Sequence, residues 1–175
     1  CYQYGDGVQV DFKEALRLYL RAAELKYPQA NCNIGNLYLK GDGVPKDINK
    51  ALEWYHKGSN MNHLRSQIKL AEIYEEGQYK VPVNYAKAAI ELRKASEASN
   101  HEESTYKLAK FYEHGKGVDL DFAMAVKLYE KSKGYADAKQ RAERLRKCIL
   151  GLQMFANHKK VSSGLITIEC ALFKK

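Results

Sequence analysis

Three glycine-rich turns are the part of this sequence most similar to a known ligand-binding motif. The pattern Gly-x-Gly-Val occurs at Gly5–Val8, Gly41–Val44 and Gly115–Val118, and glycine-rich loops can hold a phosphate through their backbone N–H groups. These copies lack the third glycine of a dinucleotide fingerprint and the terminal Gly-Lys-Ser/Thr of a P-loop, and no strand-like run precedes them. Their recurrence at corresponding places therefore predicts structural turns rather than a nucleotide site.

The titratable residues show no catalytic or metal-binding pattern. No two histidines have the four-residue spacing that places two metal ligands on one helix face. The histidines are His56, His63, His101, His114 and His158. The acid pairs Glu75–Glu76 and Glu102–Glu103 are adjacent in sequence, so their side chains do not face each other on a helix. We therefore predict that the chain is not an enzyme and holds no metal and no cofactor, and that His56 and His63 are ordinary solvated residues.

The turns belong to a longer pattern that recurs four times, with a degraded copy beginning at Gly77. A tyrosine stands three residues before the first glycine of each copy: Tyr2, Tyr38, Tyr74 and Tyr112. A helix-capping residue follows six residues after the glycine, with one inserted residue in the third copy: Asp11, Asp47, Asn84 and Asp121. The copies are spaced by 36, 36 and 38 residues, and periods of this length indicate a stacked-repeat protein.

Each copy predicts two helices joined by the glycine turn. Apolar residues at Ile48, Ala51, Leu52 and Tyr55 follow the spacing of one helix face. A second helical stripe precedes Gly41, which is suited to end that helix because glycine adopts the left-handed conformation cheaply. The sequence therefore predicts an all-α fold, a right-handed superhelix (α-solenoid) of stacked antiparallel helix pairs.

One copy of the repeat resembles the SEL-one-like repeat family, a relative of the tetratricopeptide repeats. The resemblance rests on the pattern Ala-x-x-x-Ile-Gly-x-Leu-Tyr-x-x-Gly-Asp-Gly-Val at residues 30–44, on Asp47 and on residues 50–55. The resemblance runs from Tyr2 to Lys133 and departs most in the third copy, where Gln78-Tyr79-Lys80 replaces the usual turn and Leu92 replaces a tyrosine. It implies a non-catalytic assembly platform, as in signalling, protein quality control and bacterium–host contact.

This interpretation divides the chain into three parts. Residues 1–133 are four repeats, of which the first is expected to lack its first helix. Residues 134–154 are expected to form a capping helix that starts at Ala136, with an apolar stripe formed by Ala138, Ala142, Leu145, Ile149 and Leu152. Residues 155–175 form a tail whose structure the sequence leaves open.

Charge and cysteines limit the other functional classes. The net charge is +8, and residues 134–175 carry nine basic and three acidic residues, a net +6. No aromatic platform accompanies these charges, so we expect a solvated helix face rather than specific nucleic-acid binding. No apolar run reaches 18 residues, so we expect no transmembrane segment. The spacing of the four cysteines does not follow the repeat and differs from the disulfide per repeat found in cysteine-rich relatives, so we expect free thiols and a cytoplasmic location.

The first helix of each pair is expected to line a concave face that holds partner proteins or peptides. Three positions on its outer side differ from copy to copy, which a graded recognition surface requires. They are Gln29, Arg65 and Glu103; Cys32, Ile68 and Tyr106; and Asn36, Glu72 and Lys110. Ile68 and Tyr106 are the best anchor candidates because exposed apolar and aromatic residues dominate many interfaces. Two alternatives remain open: a regulatory module of a larger enzyme or signalling protein, and a secreted bacterial repeat protein.

Overall fold

The computed structural model describes residues 11–154. The described part consists of helices and connecting turns, and no residue in it is assigned to a strand. The helices are α1 (Phe12–Glu24), α2 (Pro28–Lys40), α3 (Ile48–Asn60), α4 (Leu64–Glu76), α5 (Tyr85–Ala98), α6 (Glu102–His114), α7 (Phe122–Lys131) and α8 (residues 138–154). Some sequence predictions concern positions outside the described residues: Cys1, Tyr2, the turn at Gly5–Val8, His158, Cys170 and the tail at residues 155–175.

Consecutive helices pack against each other along α1 to α7, and α2 also touches α4 directly. This is the packing expected of stacked helix pairs, so the predicted all-α solenoid is confirmed. One hydrophobic core runs along the stack and includes the fully buried residues Ala51, Ala88 and Ala125. Small residues at these positions let neighbouring helices approach closely.

The recurring residues form the helix ends that the sequence predicts. Asp47 caps α3 by accepting from the N–H of Lys50 at 3.0 Å, and Asp11, Asn84 and Asp121 cap their helices in the same way. Gly41 ends α2 with φ 86°, in the left-handed region, and Gly77 and Gly115 end α4 and α6 similarly. Capping residue and turn glycine therefore set the length of each helix.

The recurring tyrosine has a backbone role that the sequence pattern does not reveal. Its carbonyl oxygen accepts from the N–H of the next capping residue, at 2.9 Å between Asp47 and Tyr38 and at 2.8 Å between Asn84 and Tyr74. The second bond forms although the third copy has an inserted residue. A short 3-10 helix, Gln78–Lys80, with φ 56° at Tyr79 absorbs the insertion, so the third unit keeps the helix pair.

The prediction that His56 and His63 are ordinary solvated residues is wrong. His63 is the N-cap of α4, where its Nδ1 accepts from the N–H of Ser66 at 3.3 Å. His101 caps α6 in the same way and accepts from the N–H of Ser104 at 3.2 Å. The imidazole nitrogen thus replaces the oxygen that a capping aspartate supplies. His56 is also partly buried, and one of its ring nitrogens is 2.9 Å from the Tyr74 hydroxyl.

The last described helix packs on the fourth unit through Ala138, Ala142 and Leu145, which are all buried. It begins at residue 138 rather than at Ala136, because Ala136 has φ 52° and cannot continue a right-handed helix. Ile149 is half-buried against the core, whereas Leu152 is 60% exposed and does not belong to the packed stripe.

Candidate partner-binding face

The predicted face lies on α2, α4 and α6, the first helices of the second, third and fourth units. We call it the groove face and define it by the nine predicted positions on these helices. Gln29, Arg65 and Lys110 are exposed, and Asn36, Ile68, Glu72, Glu103 and Tyr106 are partly exposed. Eight of the nine side chains therefore reach the surface.

Cys32 does not belong to this surface. Its side chain is 0% exposed and lies within the hydrophobic core of the stack. Burial raises the pKa of the Cys32 thiol, which is accordingly held neutral. A partner cannot reach it, so we remove Cys32 from the candidate set. Its aligned residues Ile68 and Tyr106 are larger and remain partly exposed.

Gln29 and His63 link the starts of α2 and α4. The Nε2 of His63 lies 2.7 Å from the Oε1 of Gln29, and Gln29 also donates to Asn33 at 3.2 Å. Since Nδ1 of His63 accepts the capping N–H, Nε2 carries the proton and donates to Gln29. Burial, helped by the charge of Arg65, lowers the pKa of His63 and favours this neutral form.

The polar residues further along the face have partners in their own unit. Asn36 accepts from the buried hydroxyl of Tyr55 at 2.7 Å, so its amide is held in place. Glu72 pairs with Lys69 at 2.8 Å and Glu103 with Lys107 at 3.1 Å, both along one helix. Such exposed pairs are worth little to stability and leave the carboxylates available to a partner.

Tyr106 has a role within the fold as well as a place on the face. Its hydroxyl donates to Asp137, and its ring centroid is 5.5 Å from those of Tyr129 and Tyr135. The hydrogen bond from Tyr106 lowers the pKa of Asp137, which also accepts from Arg141 at 2.8 Å. Tyr106 therefore joins α6 to the start of α8, and Ile68 is the clearer apolar candidate for partner contact.

The buried carboxylate of Glu113 completes the attachment of α8. It accepts from the hydroxyl of Tyr129, from Arg141 at 3.1 Å and from Arg144. Burial alone would raise the pKa of Glu113, but the hydrogen bonds from Tyr129 and Arg141 outweigh it and hold the pKa below its usual value. A charged group fixes α8 to the fourth unit, and α8 in turn borders the groove face.

A cavity of about 350 Å³ lies beside Lys110, where α4, α6, α8 and the turn after α6 meet. Four of its lining residues are lysine or arginine, and the others are one histidine, one glutamate and one buried phenylalanine. They are Lys107, Lys110, Lys116, Arg141, His114, Glu75 and Phe111. Of these, the sequence prediction included only Lys110. The sequence feature that could have indicated this cavity is Lys116, a basic residue at the position that Asp42 occupies in the second turn.

No grouping of metal-ligating side chains was found within residues 11–154. In the same range, no helix has the length and apolar character needed to cross a bilayer. The two cysteines described, Cys32 and Cys148, are both free thiols, and Cys148 is exposed.

Comparison with known proteins gives one family. The profile of the Sel1 repeat matches four consecutive segments, residues 1–27, 28–63, 64–100 and 102–133. Among curated protein sequences, none matches the chain with significance.

Three solved structures resemble this chain. A Sel1 repeat protein from Oxalobacter formigenes is 31% identical with a TM-score of 0.70, over 81% of this chain and 58% of that one. The antigen c5321 of uropathogenic Escherichia coli, which displays an SLR fold, is 30% identical with a TM-score of 0.65, over 75% and 28%. Helicobacter pylori cysteine-rich protein B is 27% identical with a TM-score of 0.54, over 78% and 98%. The chain thus spans little more than half of the Oxalobacter protein and about a quarter of c5321.

Proposed function

The chain belongs to the Sel1 repeat family, and we propose that it is a non-catalytic scaffold that binds a protein or peptide on its groove face. Proteins of this family are generally protein–protein interaction modules and generally non-catalytic. The particular face, the absence of catalysis in this chain and a cytoplasmic location are proposals that go beyond the family. The two alternatives, a regulatory module of a larger enzyme or signalling protein and a secreted bacterial repeat protein, stay predictions from the sequence.

The contrast between core and surface in the repeats supports the groove face most strongly. Ile34, Leu70 and Leu108 occupy one aligned position and are all buried, so the repeat keeps its packing. Two residues further on, the exposed side of the same helices carries an amide, a carboxylate and an ammonium in turn. A scaffold that holds different side chains at fixed spacing can read an extended partner along its length.

The direct contact between α2 and α4 supports the assignment of these helices to the inner row. In a stack of helix pairs, the row whose members approach each other is the concave one. Ile68 lies in this row, and its side chain is partly exposed. Its apolar side chain therefore has contact area to offer a partner.

Ile68→Glu tests the proposal against a matched control. Ile90 is also an isoleucine, is 51% exposed, and lies on α5 in the other helix of the same unit. Each variant is immobilised and incubated with lysate of the source organism, after thermal melts have shown that both fold like the wild type. We expect Ile68→Glu to lose proteins that the wild type and Ile90→Glu retain. The exposed residue Arg65 provides a second variant, Arg65→Glu, should Ile68→Glu melt early. Identical captures by all three chains would reject the groove face.

A further inference from the structure

The cavity beside Lys110 brings four basic side chains together at one end of the groove face. Lys107 pairs with Glu103 at 3.1 Å, and Arg141 pairs with Asp137 at 2.8 Å and with Glu113 at 3.1 Å. Two of the four basic residues of the cavity are thus already paired with carboxylates of this chain.

The other two cations, Lys110 and Lys116, form no ion pair with the described residues, and each lies over an aromatic ring. The Nζ of Lys110 lies 6.0 Å from the ring centroid of Tyr106, and that of Lys116 lies 5.3 Å from the ring centroid of Tyr85. Such contacts at exposed sites are weak and leave the three N–H donors of each ammonium free for a ligand.

The position of Lys116 is fixed by the backbone. Gly115 and Gly117 on either side have φ 64° and 66°, in the left-handed region that favours glycine. A Cβ atom on Gly117 would overlap the backbone of Tyr85 and Ala86, so this turn is held tightly against the start of α5. The backbone that carries Lys116 is therefore already constrained, and this turn loses little conformational freedom when a ligand binds.

The basic character belongs to the fourth unit alone. The position of Lys110 is Asn36 and Glu72 in the second and third units, and the position of Lys116 is Asp42 and Gln78. Both positions thus change from neutral or acidic to basic at the unit where the cavity forms.

We propose that this cavity binds the carboxylate side chain of an acidic residue in a partner peptide. Lys110 and Lys116 supply charge-assisted hydrogen bonds to its oxygens, and Phe111 receives its methylene groups. The inference rests on the proposed function and names the chemistry that the fourth unit recognises.

A single carboxylate suits the cavity better than a nucleic-acid backbone. Glu75 lines the cavity, and Glu72 and Glu76 lie on the same helix, α4. The negative charge of these glutamates would repel a chain of closely spaced phosphates. A single acidic side chain of an otherwise uncharged peptide can enter between the lysines without meeting this repulsion along its whole length.

The test is an NMR titration of the full chain with a pair of small probes, N-acetylglutamate amide and N-acetylglutamine amide. They differ only in the carboxylate. We expect the glutamate probe to shift the amide signals of Lys110, Phe111 and Lys116 saturably, in the range of about 1–10 mM for a single contact. The glutamine probe is expected to leave these signals unmoved.

The double variant Lys110→Met/Lys116→Met keeps the apolar stems and should weaken the glutamate probe about tenfold. Lys13→Met/Lys127→Met removes the same charge from exposed positions on α1 and α7 and should change the affinity less than twofold. The two single variants at Lys110 and Lys116 replace the double variant should its spectrum show misfolding outside the cavity. Equal loss in both double variants would mean attraction by net charge only and would overturn the proposal. So would the absence of glutamate-specific shifts, or preferential perturbation of the cavity by a twelve-nucleotide oligothymidylate.

This result is separable from the proposed function. Loss of partner by Ile68→Glu with no glutamate-specific shift would keep the groove face and reject the carboxylate site. A glutamate-specific site with unchanged capture by Ile68→Glu would reject the groove face as proposed.

Discussion

Replacing Gly35 by alanine should destabilise the protein, although alanine is the better helix former. Gly35 lies in the interior of α2, and a Cβ atom built there would stand 2.6 Å from Cε1 and 2.7 Å from Cδ1 of Tyr55. The Tyr55 ring cannot move away easily. It is fully buried, and its hydroxyl donates to Asn36 at 2.7 Å.

The size of the effect follows from two opposing contributions. Alanine in place of an interior helical glycine gains about 0.5–1 kcal/mol from the backbone. An added methyl group in a close-packed site costs about 1–3 kcal/mol. The difference is a net loss of about 0–2.5 kcal/mol in the free energy of unfolding, and a contact as short as 2.6 Å favours the upper part of this range.

Urea denaturation followed by circular dichroism measures this loss, and Gly151→Ala is the matched control. Gly151 is helical and exposed, and a Cβ atom there meets no other atom within 4 Å. The control should therefore be neutral or slightly stabilising. If Gly35→Ala were as stable as the wild type or more stable, the close contact with Tyr55 would not constrain the fold, and our account of the second unit would be wrong.

A double variant isolates the contact itself. The third unit carries Ala71 and Leu92 at the positions of Gly35 and Tyr55, so Gly35→Ala/Tyr55→Leu copies a pair that the chain already uses. In the Tyr55→Leu background, Gly35→Ala should stabilise by about 0.5–1 kcal/mol. The coupling in the double-mutant cycle should then be about 1 kcal/mol or more. Additive effects would contradict the explanation.

Two further predictions concern the helix cap at His63 and the attachment of α8. Because the pKa of His63 is lowered in the folded state, the unfolded chain takes up the proton first as pH falls below about 6.5. Folding stability should therefore decrease as the pH is lowered from 7.5 to 5.5. His63→Asn caps the helix without titrating, so it should make stability less dependent on pH in thermal melts, and an unchanged pH dependence would contradict the cap. Glu113→Ala removes the acceptor shared by Tyr129, Arg141 and Arg144 and should lower the free energy of unfolding by roughly 2–3 kcal/mol. Limited proteolysis should then cut first within residues 138–154, whereas unaltered cleavage would show that α8 is held by its apolar contacts alone.

The fold follows from the sequence because its determinants are local and recur. A capping residue such as Asp47, a turn glycine such as Gly41 and an apolar stripe each act within a few residues, and four copies in register make the pattern unambiguous. The caps at His63 and His101 were missed because an imidazole acceptor is not among the usual capping side chains.

The surface was predicted less well because it depends on contacts distant in sequence. Cys32 is buried between neighbouring helices, which no spacing within α2 reveals. Tyr106 is tied to Asp137, and Lys110 borders a cavity that includes Arg141, only because α8 folds back on the fourth unit. The repeat pattern ends before α8, so it carries no information about these contacts.

The central claim is that partners bind the face formed by α2, α4 and α6. A photo-crosslinking amino acid placed at Ile68, and in a second protein at Ile90, tests this directly in lysate of the source organism. The account predicts discrete crosslinked products at position 68 that are absent at position 90. Products at position 90 alone, or the same products at both positions, would contradict it.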